Sequence, residues 1–345
     1  MPKSVRINFT TLIVLGFGAV VRERVRLAVR ESAARLGITR VVYFDTASPG
    51  PDPGFDPDLE EFVRIAPGQS ALALARRAGL LGRRTLVLVC TPTCTHAHYA
   101  REFAPHVGRV GVEKPTCLDP AEAAGLIDCE GVVLPLGHQL FKAEMRAFTA
   151  ACRRGEVSPG EVAGLRFTLF ENKGVGGRTI DPAVWDTGWH GVECSLAPML
   201  ALAGEAGVEV GRVRAATYHG GPDLPRTTTA ARIDAALVTP GGRLPLTIRV
   251  GKGVGLDLKL LEVIGPAGRA VRTVALTEGG HLAHGRMIEE LWTRDEPDMQ
   301  LGLRDVVRVV EACAEADARA EELPAYRYGE VPHWMEVEQP VGVPA

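Results

Sequence analysis

The sequence lacks any dense stretch of one charge, and its cysteines follow no regular pattern. Lys and Arg together number 39 and Asp and Glu number 42, which gives a formal net charge of −3 at pH 7. Because no stripe of basic residues is present, nucleic acid is not an expected partner. The seven cysteines include no Cys-x-x-Cys pair. We therefore expect reduced thiols in a cytoplasmic protein rather than a disulfide framework.

Signals for secretion and for membrane insertion are also missing. The N-terminus shows no charged region followed by an apolar segment and a small-residue cleavage site. No apolar run reaches the roughly 20 residues that cross a bilayer. What is present is a globular composition, with 46% hydrophobic and 23% charged residues. A chain of 345 residues is long enough for two domains, each with its own core.

Strand and helix patterns alternate over the first part of the chain. Short apolar runs predict buried strands over 11–15, 41–44, 85–89 and 107–112. Apolar residues at helical spacing predict helices over 20–36, 69–81 and 96–103. Strands that alternate with helices indicate a doubly wound parallel sheet. The predicted fold class is therefore α/β, with an N-terminal Rossmann domain over 1–120.

The pattern changes after about residue 120, where strands follow one another without helices between them. These strands are predicted over 163–171, 208–219, 229–238, 243–250 and 258–264. Such a succession predicts a C-terminal α+β domain over 121–322, with a largely antiparallel open sheet. A closing helix is predicted over 300–320. The Pro-rich residues 323–345 are interpreted as a surface tail.

The segment Gly16-Phe17-Gly18 lies where a dinucleotide-binding loop is expected, after the first strand and before the first helix. The first glycine allows a tight turn, and the second lets the backbone approach a pyrophosphate at the start of the helix. The third position of this fingerprint holds Val21 instead of Gly or Ala. This departure predicts looser helix–strand packing or a shifted pyrophosphate.

Asp45 ends the second predicted strand. A carboxylate at this place accepts hydrogen bonds from a ribose 2′-hydroxyl and repels a 2′-phosphate. No Arg follows it immediately, so the sequence favours NAD over NADP. The alternative interpretation is that Asp45 caps a helix or a loop.

Two further motifs carry groups that move protons. Glu113-Lys114-Pro115 follows the fourth predicted strand, and Asp186-Thr187-Gly188-Trp189-His190 places an acid and an imidazole four residues apart. Those two side chains share one face if the stretch is helical. Lysine and histidine are the usual side chains for moving a proton on or off an alcohol oxygen. In this order, and downstream of a Gly-x-Gly segment, the motifs point to a nicotinamide-dependent oxidoreductase.

These motifs, together with Thr91-Pro92-Thr93-Cys94-Thr95-His96 and Ala100, make the chain resemble a family of sugar oxidoreductases. The family comprises glucose-fructose oxidoreductase, inositol dehydrogenase and rhizopine-catabolism proteins (Gfo/Idh/MocA). The resemblance spans the whole chain. It implies NAD-dependent oxidation of a secondary hydroxyl of a sugar, a sugar derivative or a cyclitol to a ketone. The composition, rich in Arg, Ala, Gly and Val, suggests a high-GC bacterial gene. Family members from such genomes often modify sugars of natural products, so an aminoglycoside or a nucleotide sugar is an expected substrate and antibiotic biosynthesis an expected setting.

The resemblance also implies residue roles. Lys114 is expected to reach both the nicotinamide ribose and the substrate hydroxyl, His190 to be the acid/base, and Asp186 to orient it or share its proton. No metal is expected. The glycine loop and the resemblance together assign cofactor binding to Gly16, Phe17, Gly18, Ala19, Val20, Asp45, Thr91, Pro92, His96, Glu113, Lys114 and Trp185.

Several positions depart from the family pattern or keep two interpretations. Thr93 replaces a common Asn, and Glu193 replaces a usual second Asp. His138 and Lys142, in a segment that also differs from the family, are either substrate-pocket residues or structural ones. Trp185 and Trp189 serve either core packing or a wall for a sugar or nicotinamide ring.

Three functions compete at this stage. The first is the dehydrogenase described above. The second uses the same fold as a keto-sugar reductase or as an NAD-cycling enzyme that processes glycosides. The third is a ligand-sensing regulator without catalysis, which the presence of Lys114, Asp186 and His190 argues against. The resemblance implies a homodimer or homotetramer with a small-molecule substrate and no membrane partner.

Overall fold

The computed structural model describes residues 8–50, 54–176, 180–221 and 223–335. The chain divides into two compact units, each made of two separate segments. The first unit comprises residues 1–150 and 276–314, and the second comprises 151–275 and 315–345. Part of the predicted tail, residues 336–345, lies outside the described residues.

The first unit is built on a six-stranded sheet. Its strands are β1 (Thr11–Leu15), β2 (Arg40–Asp45), β3 (Glu60–Arg64), β4 (Gly82–Val89), β5 (Val107–Glu113) and β6 (Val133–Leu136). They lie in the order β3-β2-β1-β4-β5-β6, and every neighbouring pair is parallel. The central strands are buried on both faces, as their continuous apolar runs require. The predicted doubly wound parallel sheet is confirmed.

Eight α-helices are found in the described residues of the two units. They are α1 (Arg26–Leu36), α2 (Ala71–Arg77), α3 (His96–Phe103), α4 (Pro120–Ala124), α5 (Ala143–Arg153), α6 (Trp189–Ala203), α7 (Gly280–Thr293) and α8 (Leu303–Ala318). A π-helical turn over Val21–Val25 precedes α1, and α1 ends at Gly37, whose φ of 69° suits a left-handed C-cap. None of the helices in the described residues is long and apolar enough to cross a membrane.

The second unit contains a seven-stranded sheet and a two-stranded one. Their strands are β7 (Gly164–Glu171), β8 (Gly207–Ala216), β9 (Tyr218–His219), β10 (Ala230–Thr239), β11 (Gly242–Lys252), β12 (Leu258–Ile264), β13 (Ala270–Ala275), β14 (Ala320–Glu322) and β15 (Tyr326–Arg327). The large sheet has the order β13-β12-β7-β11-β10-β8-β14. Four of its six pairings are antiparallel, which confirms the predicted largely antiparallel sheet.

The unit boundaries differ from the predicted division at residue 120. Residues 121–150 belong to the first unit, because β6 extends its sheet by pairing with β5. Helix α7 belongs there too and packs on α1, where the Trp292 indole donates to the Leu36 carbonyl over 2.7 Å. A single cut in the sequence does not separate the units, because the chain returns to the first unit after β13.

The segment after residue 322 is more than the surface tail that its prolines suggested. Strand β15 pairs with β9, and the side chains of Trp334 and Met335 are buried in the second unit. They join an apolar cluster that includes Phe170 and Tyr218. Prolines interrupt regular periodicity, but they do not prevent large apolar side chains from reaching a core.

A buried ion pair stabilises the edge of the first unit. The fully buried Glu60 carboxylate accepts hydrogen bonds from Arg26 (2.8 Å), Arg30 (3.0 Å), the Tyr43 hydroxyl (2.9 Å) and the Asp56 backbone N–H (2.9 Å). Burial alone would raise the pKa of Glu60, but the hydrogen bonds from Arg26 and Arg30 outweigh it and lower the pKa to about 2. The ionised form of Glu60 therefore stabilises the folded state.

We expect Glu60→Gln to lower the free energy of unfolding at pH 7 by about 3 kcal/mol, because it leaves the buried Arg26 guanidinium without its anion. Since the pKa of Glu60 is lower in the folded state, its contribution is complete above pH 4.5 and is lost as the pH falls towards 2. Urea unfolding should show that the difference in the free energy of unfolding between Glu60→Gln and the wild type becomes smaller as the pH falls across this range. Glu61→Gln, which breaks an exposed pair with Arg40, is the control and should cost less than about 1 kcal/mol. If Glu60→Gln loses no more free energy of unfolding at pH 7 than Glu61→Gln does, the expectation is contradicted.

Candidate functional site

The loop after β1 requires glycine at one position and leaves the backbone open at another. Gly16 has a φ of 94°, and a Cβ atom there would lie 2.5 Å from the Cys90 carbonyl oxygen. Gly18 is exposed, and a Cβ atom there would meet no atom within 4 Å. The tight turn and the open backbone at a helix start fit a dinucleotide pyrophosphate. Val21, at the third fingerprint position, is fully buried in the π-helical turn.

Asp45 lies at the end of β2 and contacts this loop directly. One of its carboxylate oxygens accepts the Phe17 backbone N–H over 2.5 Å, and the other accepts the Ala47 N–H over 2.8 Å. The acid is therefore held beside the glycine loop, at the place where a ribose hydroxyl is expected. Its carboxylate also fixes the loop, so its two interpretations, ribose ligand and loop cap, are compatible.

His96 joins the loops that follow β4 and β5. Its ring is buried, and its two nitrogens each lie 2.7 Å from a backbone carbonyl oxygen, one of Thr91 and the other of Pro115. The Thr91 hydroxyl accepts a hydrogen bond from Thr95 over 2.7 Å. The ring thus contacts backbone on both sides, and its contact with a cofactor stays a prediction.

Lys114 directly follows β5 and is half-buried. Its backbone N–H donates to the Glu113 carboxylate over 3.0 Å, and its peptide bond to Pro115 is cis. Gly16, Thr91 and Lys114 therefore lie beyond the carboxyl ends of β1, β4 and β5, which are adjacent strands of the sheet. In open parallel sheets, ligands bind at this edge, where the strand order reverses.

Asp186 and His190 lie in the second unit, on consecutive helical segments. Asp186 is in a π-helical turn over Val184–Gly188 and forms an ion pair with Lys252, the last residue of β11. Trp185, in the same turn, is buried. The ion pair with Lys252 holds the Asp186 carboxylate at the carboxyl end of that strand.

A carboxylate also holds His190, in the first turn of α6. Its Nδ1 lies 2.6 Å from one oxygen of Glu193, and the Trp189 indole N–H donates to the other oxygen over 2.9 Å. All three side chains are buried. A carboxylate only accepts, so Nδ1 of His190 carries a proton and donates it to Glu193.

Close packing fixes the helix that carries this histidine. Gly191 follows His190, and a Cβ atom there would lie 2.3 Å from the side chain of Ile248 on β11. The absence of a side chain lets α6 approach the sheet closely at this point. The backbone of His190 is therefore set by contact with β11 rather than by a flexible loop.

The structure places the expected residues in two groups. The glycine loop, Asp45, Thr91, His96 and Lys114 lie in the first unit, whereas Trp185, Asp186 and His190 lie in the second. The convergence of Lys114 with Asp186 and His190 stays a prediction. His138 and Lys142 lie in the first unit and are buried, and the Lys142 ammonium donates to the Leu276 carbonyl over 2.7 Å.

Sequence reasoning missed the partners of these residues. Glu193 was noted only as a departure, although its spacing from His190, three residues along a helix, could have shown that the two meet. Lys252 and His284, the partners of Asp186 and Glu113, are distant in sequence and gave no signal.

The strand order of the first unit and its glycine loop define a dinucleotide-binding fold. Several solved structures resemble the whole chain. Glucose-6-phosphate 1-dehydrogenase of Mycobacterium avium has a TM-score of 0.69 and 13% identity, over 98% of this chain and 100% of that one. The 3-ketoreductase KijD10 of Actinomadura kijaniata, with TDP-benzene and NADP, has a TM-score of 0.62 and 16% identity, over 92% and 99%.

GenD2 from gentamicin A biosynthesis, in complex with NAD, has a TM-score of 0.61 and 18% identity, over 92% of this chain and 96% of that one. At these identities the likeness shows the fold, and it confirms the architecture that the sequence resemblance implied. A scan against protein-family models finds no match, and no curated protein matches the sequence.

Proposed function

We propose that the protein is an NAD-dependent oxidoreductase that oxidises a secondary hydroxyl of a sugar, a sugar derivative or a cyclitol to a ketone. One observation carries the proposal: a glycine loop, an acid at the end of β2 and Lys114 share the carboxyl edge of a sheet with the order β3-β2-β1-β4-β5-β6. The presence of an imidazole held by a carboxylate in the second unit adds a proton acceptor. Bound NAD would supply the hydride acceptor.

The chain's own residues divide the remaining work. His190, with Nδ1 bound to Glu193, accepts the hydroxyl proton at Nε2. Loss of that proton leaves negative charge on the oxygen, which the Lys114 ammonium stabilises. Asp186, held by Lys252, orients His190 or shares its proton. The backbone at Gly18 and the Asp45 carboxylate bind the pyrophosphate and the ribose.

Similar structures support two finer statements about the substrate. KijD10 binds a TDP compound, and GenD2 takes part in gentamicin A biosynthesis. Both favour a nucleotide-linked or amino sugar as the substrate of this chain. KijD10 is a 3-ketoreductase, so reduction of a keto sugar is the second candidate function.

The direct test is a spectrophotometric assay of NADH formation with a panel of sugars, nucleotide sugars, aminoglycosides and cyclitols. The same panel of keto compounds with NADH tests the reverse direction. Turnover in either direction with NAD(H) supports an oxidoreductase and decides which candidate holds. Ligand binding without turnover in both directions would favour the regulator instead.

Cofactor preference gives a sharper prediction. Because Asp45 lies beside the loop and repels a 2′-phosphate, NADH should bind at least about tenfold more tightly than NADPH, or roughly 1.4 kcal/mol. Asp45→Ala should narrow this gap, whereas Asp58→Ala, an exposed acid between β2 and β3, should not. Isothermal titration of both cofactors measures the gap. Equal affinities in the wild type would contradict the role of Asp45.

A further inference from the structure

Glu113 and His284 form a buried pair of ionisable side chains next to the Lys114 backbone, in the first unit. His284, on α7, is fully buried, and its Nε2 lies 3.1 Å from one carboxylate oxygen of Glu113. The second carboxylate oxygen accepts the Lys114 backbone N–H over 3.0 Å. Glu113 therefore links a helix from a distant part of the sequence to the peptide of the proposed catalytic lysine.

The contacts of His284 determine how many protons its ring carries. Its Nδ1 lies 2.7 Å from the Gly280 carbonyl oxygen, and its Nε2 faces the Glu113 carboxylate. Both partners only accept hydrogen bonds, provided that Glu113 is ionised, so both ring nitrogens must donate. Burial alone would raise the pKa of Glu113, but His284, together with Lys114, holds that pKa below its ordinary value. Glu113 is thus a carboxylate, and the His284 ring faces an acceptor at each of its nitrogens.

We propose that His284 is a positioning residue for Lys114: its doubly protonated ring holds Glu113, and Glu113 in turn holds the backbone N–H of Lys114. The inference rests on the proposed function, because it takes Lys114 to act in catalysis. A fixed peptide sets the direction in which the lysine side chain leaves the end of β5. Small displacements of a catalytic group reduce turnover, because reacting atoms must meet in a narrow geometry.

Other ionisable groups around the pair are compatible with this charge state. The His138 ring stacks on His284, with ring centroids 4.9 Å apart and ring planes at 22°. Burial and the charge of Glu113 raise the pKa of the Cys90 thiol, so the thiol is neutral. The Lys114 ammonium favours the ionised form of Glu113. The His284 ring and Lys114 therefore both support the ionised form of Glu113.

A metal ion is the competing occupant of this cluster. Ligand atoms of Glu113, His138 and His284 all lie within 4.8 Å of one another. A metal ion lies about 2 Å from a ligating histidine nitrogen and close to the plane of its ring. Analysis of the purified protein for metal, and the number of protons on the His284 ring, distinguish the two occupants.

The first test measures the protonation state of His284 and does not depend on activity. Nitrogen-15 NMR of the histidine rings at pH 7.5 distinguishes one ring proton from two, and His284→Gln assigns the signal by its loss. We expect both nitrogens of His284 to be protonated. A single proton on this ring, or a stoichiometric metal ion in the purified protein that His284→Gln removes, overturns the proposal.

The second test follows the Lys114 peptide. In His284→Gln, an uncharged amide replaces the imidazolium, and hydrogen exchange of the Lys114 N–H should become at least tenfold faster. Glu113→Gln should have the same effect. His281→Gln, a substitution on the same helix away from the pair, is the control and should leave the rate unchanged. Equal exchange rates in His284→Gln and in the control overturn the proposal.

The third test connects the pair to turnover. We expect His284→Gln and Glu113→Gln each to lower kcat at least tenfold with KM for NAD within twofold, and the double variant to be no worse than either single one. A purely structural role would lower the melting temperature and leave kcat of the folded fraction unchanged, which overturns the positioning role. Failure of the proposed function is distinguishable, because wild type would then lack turnover while the first two tests still give their results.

Discussion

His190→Ala and Lys114→Ala should each lower turnover by roughly 10²–10⁴, the usual effect of losing an acid/base group. In the proposed mechanism, His190 accepts the proton at Nε2 while Glu193 binds Nδ1, and Lys114 stabilises charge that develops on the substrate oxygen. Both groups act mainly in the transition state. The loss should therefore fall on kcat rather than on the affinity for NAD.

Steady-state kinetics with the best substrate of the panel, and titration of NAD, measure these two quantities separately. His219→Ala removes an exposed histidine of the second unit and should match the wild type. If His190→Ala keeps near-native turnover, the proton moves through another group, and Lys114 or Asp186 becomes the candidate. If Lys114→Ala, Asp186→Ala and His190→Ala are all fully active, the proposed mechanism is wrong.

Glu193→Gln should lower kcat by about 10- to 10²-fold, although Glu193 is not expected to contact the substrate. The free energy of a charge-assisted hydrogen bond, about 1.5–3 kcal/mol, sets this range. In the variant the amide oxygen can still accept the Trp189 N–H, so the amide NH₂ faces His190. That NH₂ donates to Nδ1, which moves the ring proton to Nε2 and removes the acceptor there.

The position of the proton on the His190 ring tests this prediction independently of kcat. Nitrogen-15 NMR should show the His190 proton on Nδ1 in the wild type and on Nε2 in Glu193→Gln. Glu205→Gln, an exposed substitution just beyond the end of α6, is the matched control and should change neither the tautomer nor kcat. If Glu193→Gln keeps the wild-type tautomer of His190 and the full kcat, Glu193 has a packing role only and does not set the tautomer.

Local patterns predicted four of the six strands of the first unit, together with its glycine loop. The apolar run at Thr11–Leu15 is buried on both faces of a parallel sheet, and only such strands give an unmistakable run. By contrast β3, with the sequence Glu-Glu-Phe-Val-Arg, and β13, which is largely exposed, were missed. Both are edge strands, whose charged or exposed residues hide the alternation.

In the candidate site, too, residues in short motifs could be predicted from the sequence, whereas contacts between residues far apart in the sequence could not. The positions of Gly16, Lys114 and His190 follow from short motifs beside predicted strands and helices. The ion pairs of Lys252 with Asp186 and of His284 with Glu113 join residues far apart in sequence. No periodicity or spacing encodes such a contact, because it depends on the complete topology.

The return of the chain to the first unit at α7 has a consequence for synthesis. The buried Arg109 of β5 donates to the carbonyls of Arg294 and Asp295, which follow that helix. A ribosome makes all of the second unit's large sheet except β14 before it makes α7. Until α7 has been made, the face of α1 on which α7 packs stays exposed to solvent in the nascent first unit. Chaperone-binding during translation should therefore concentrate on α1, and a fragment that stops at residue 150 should aggregate rather than fold.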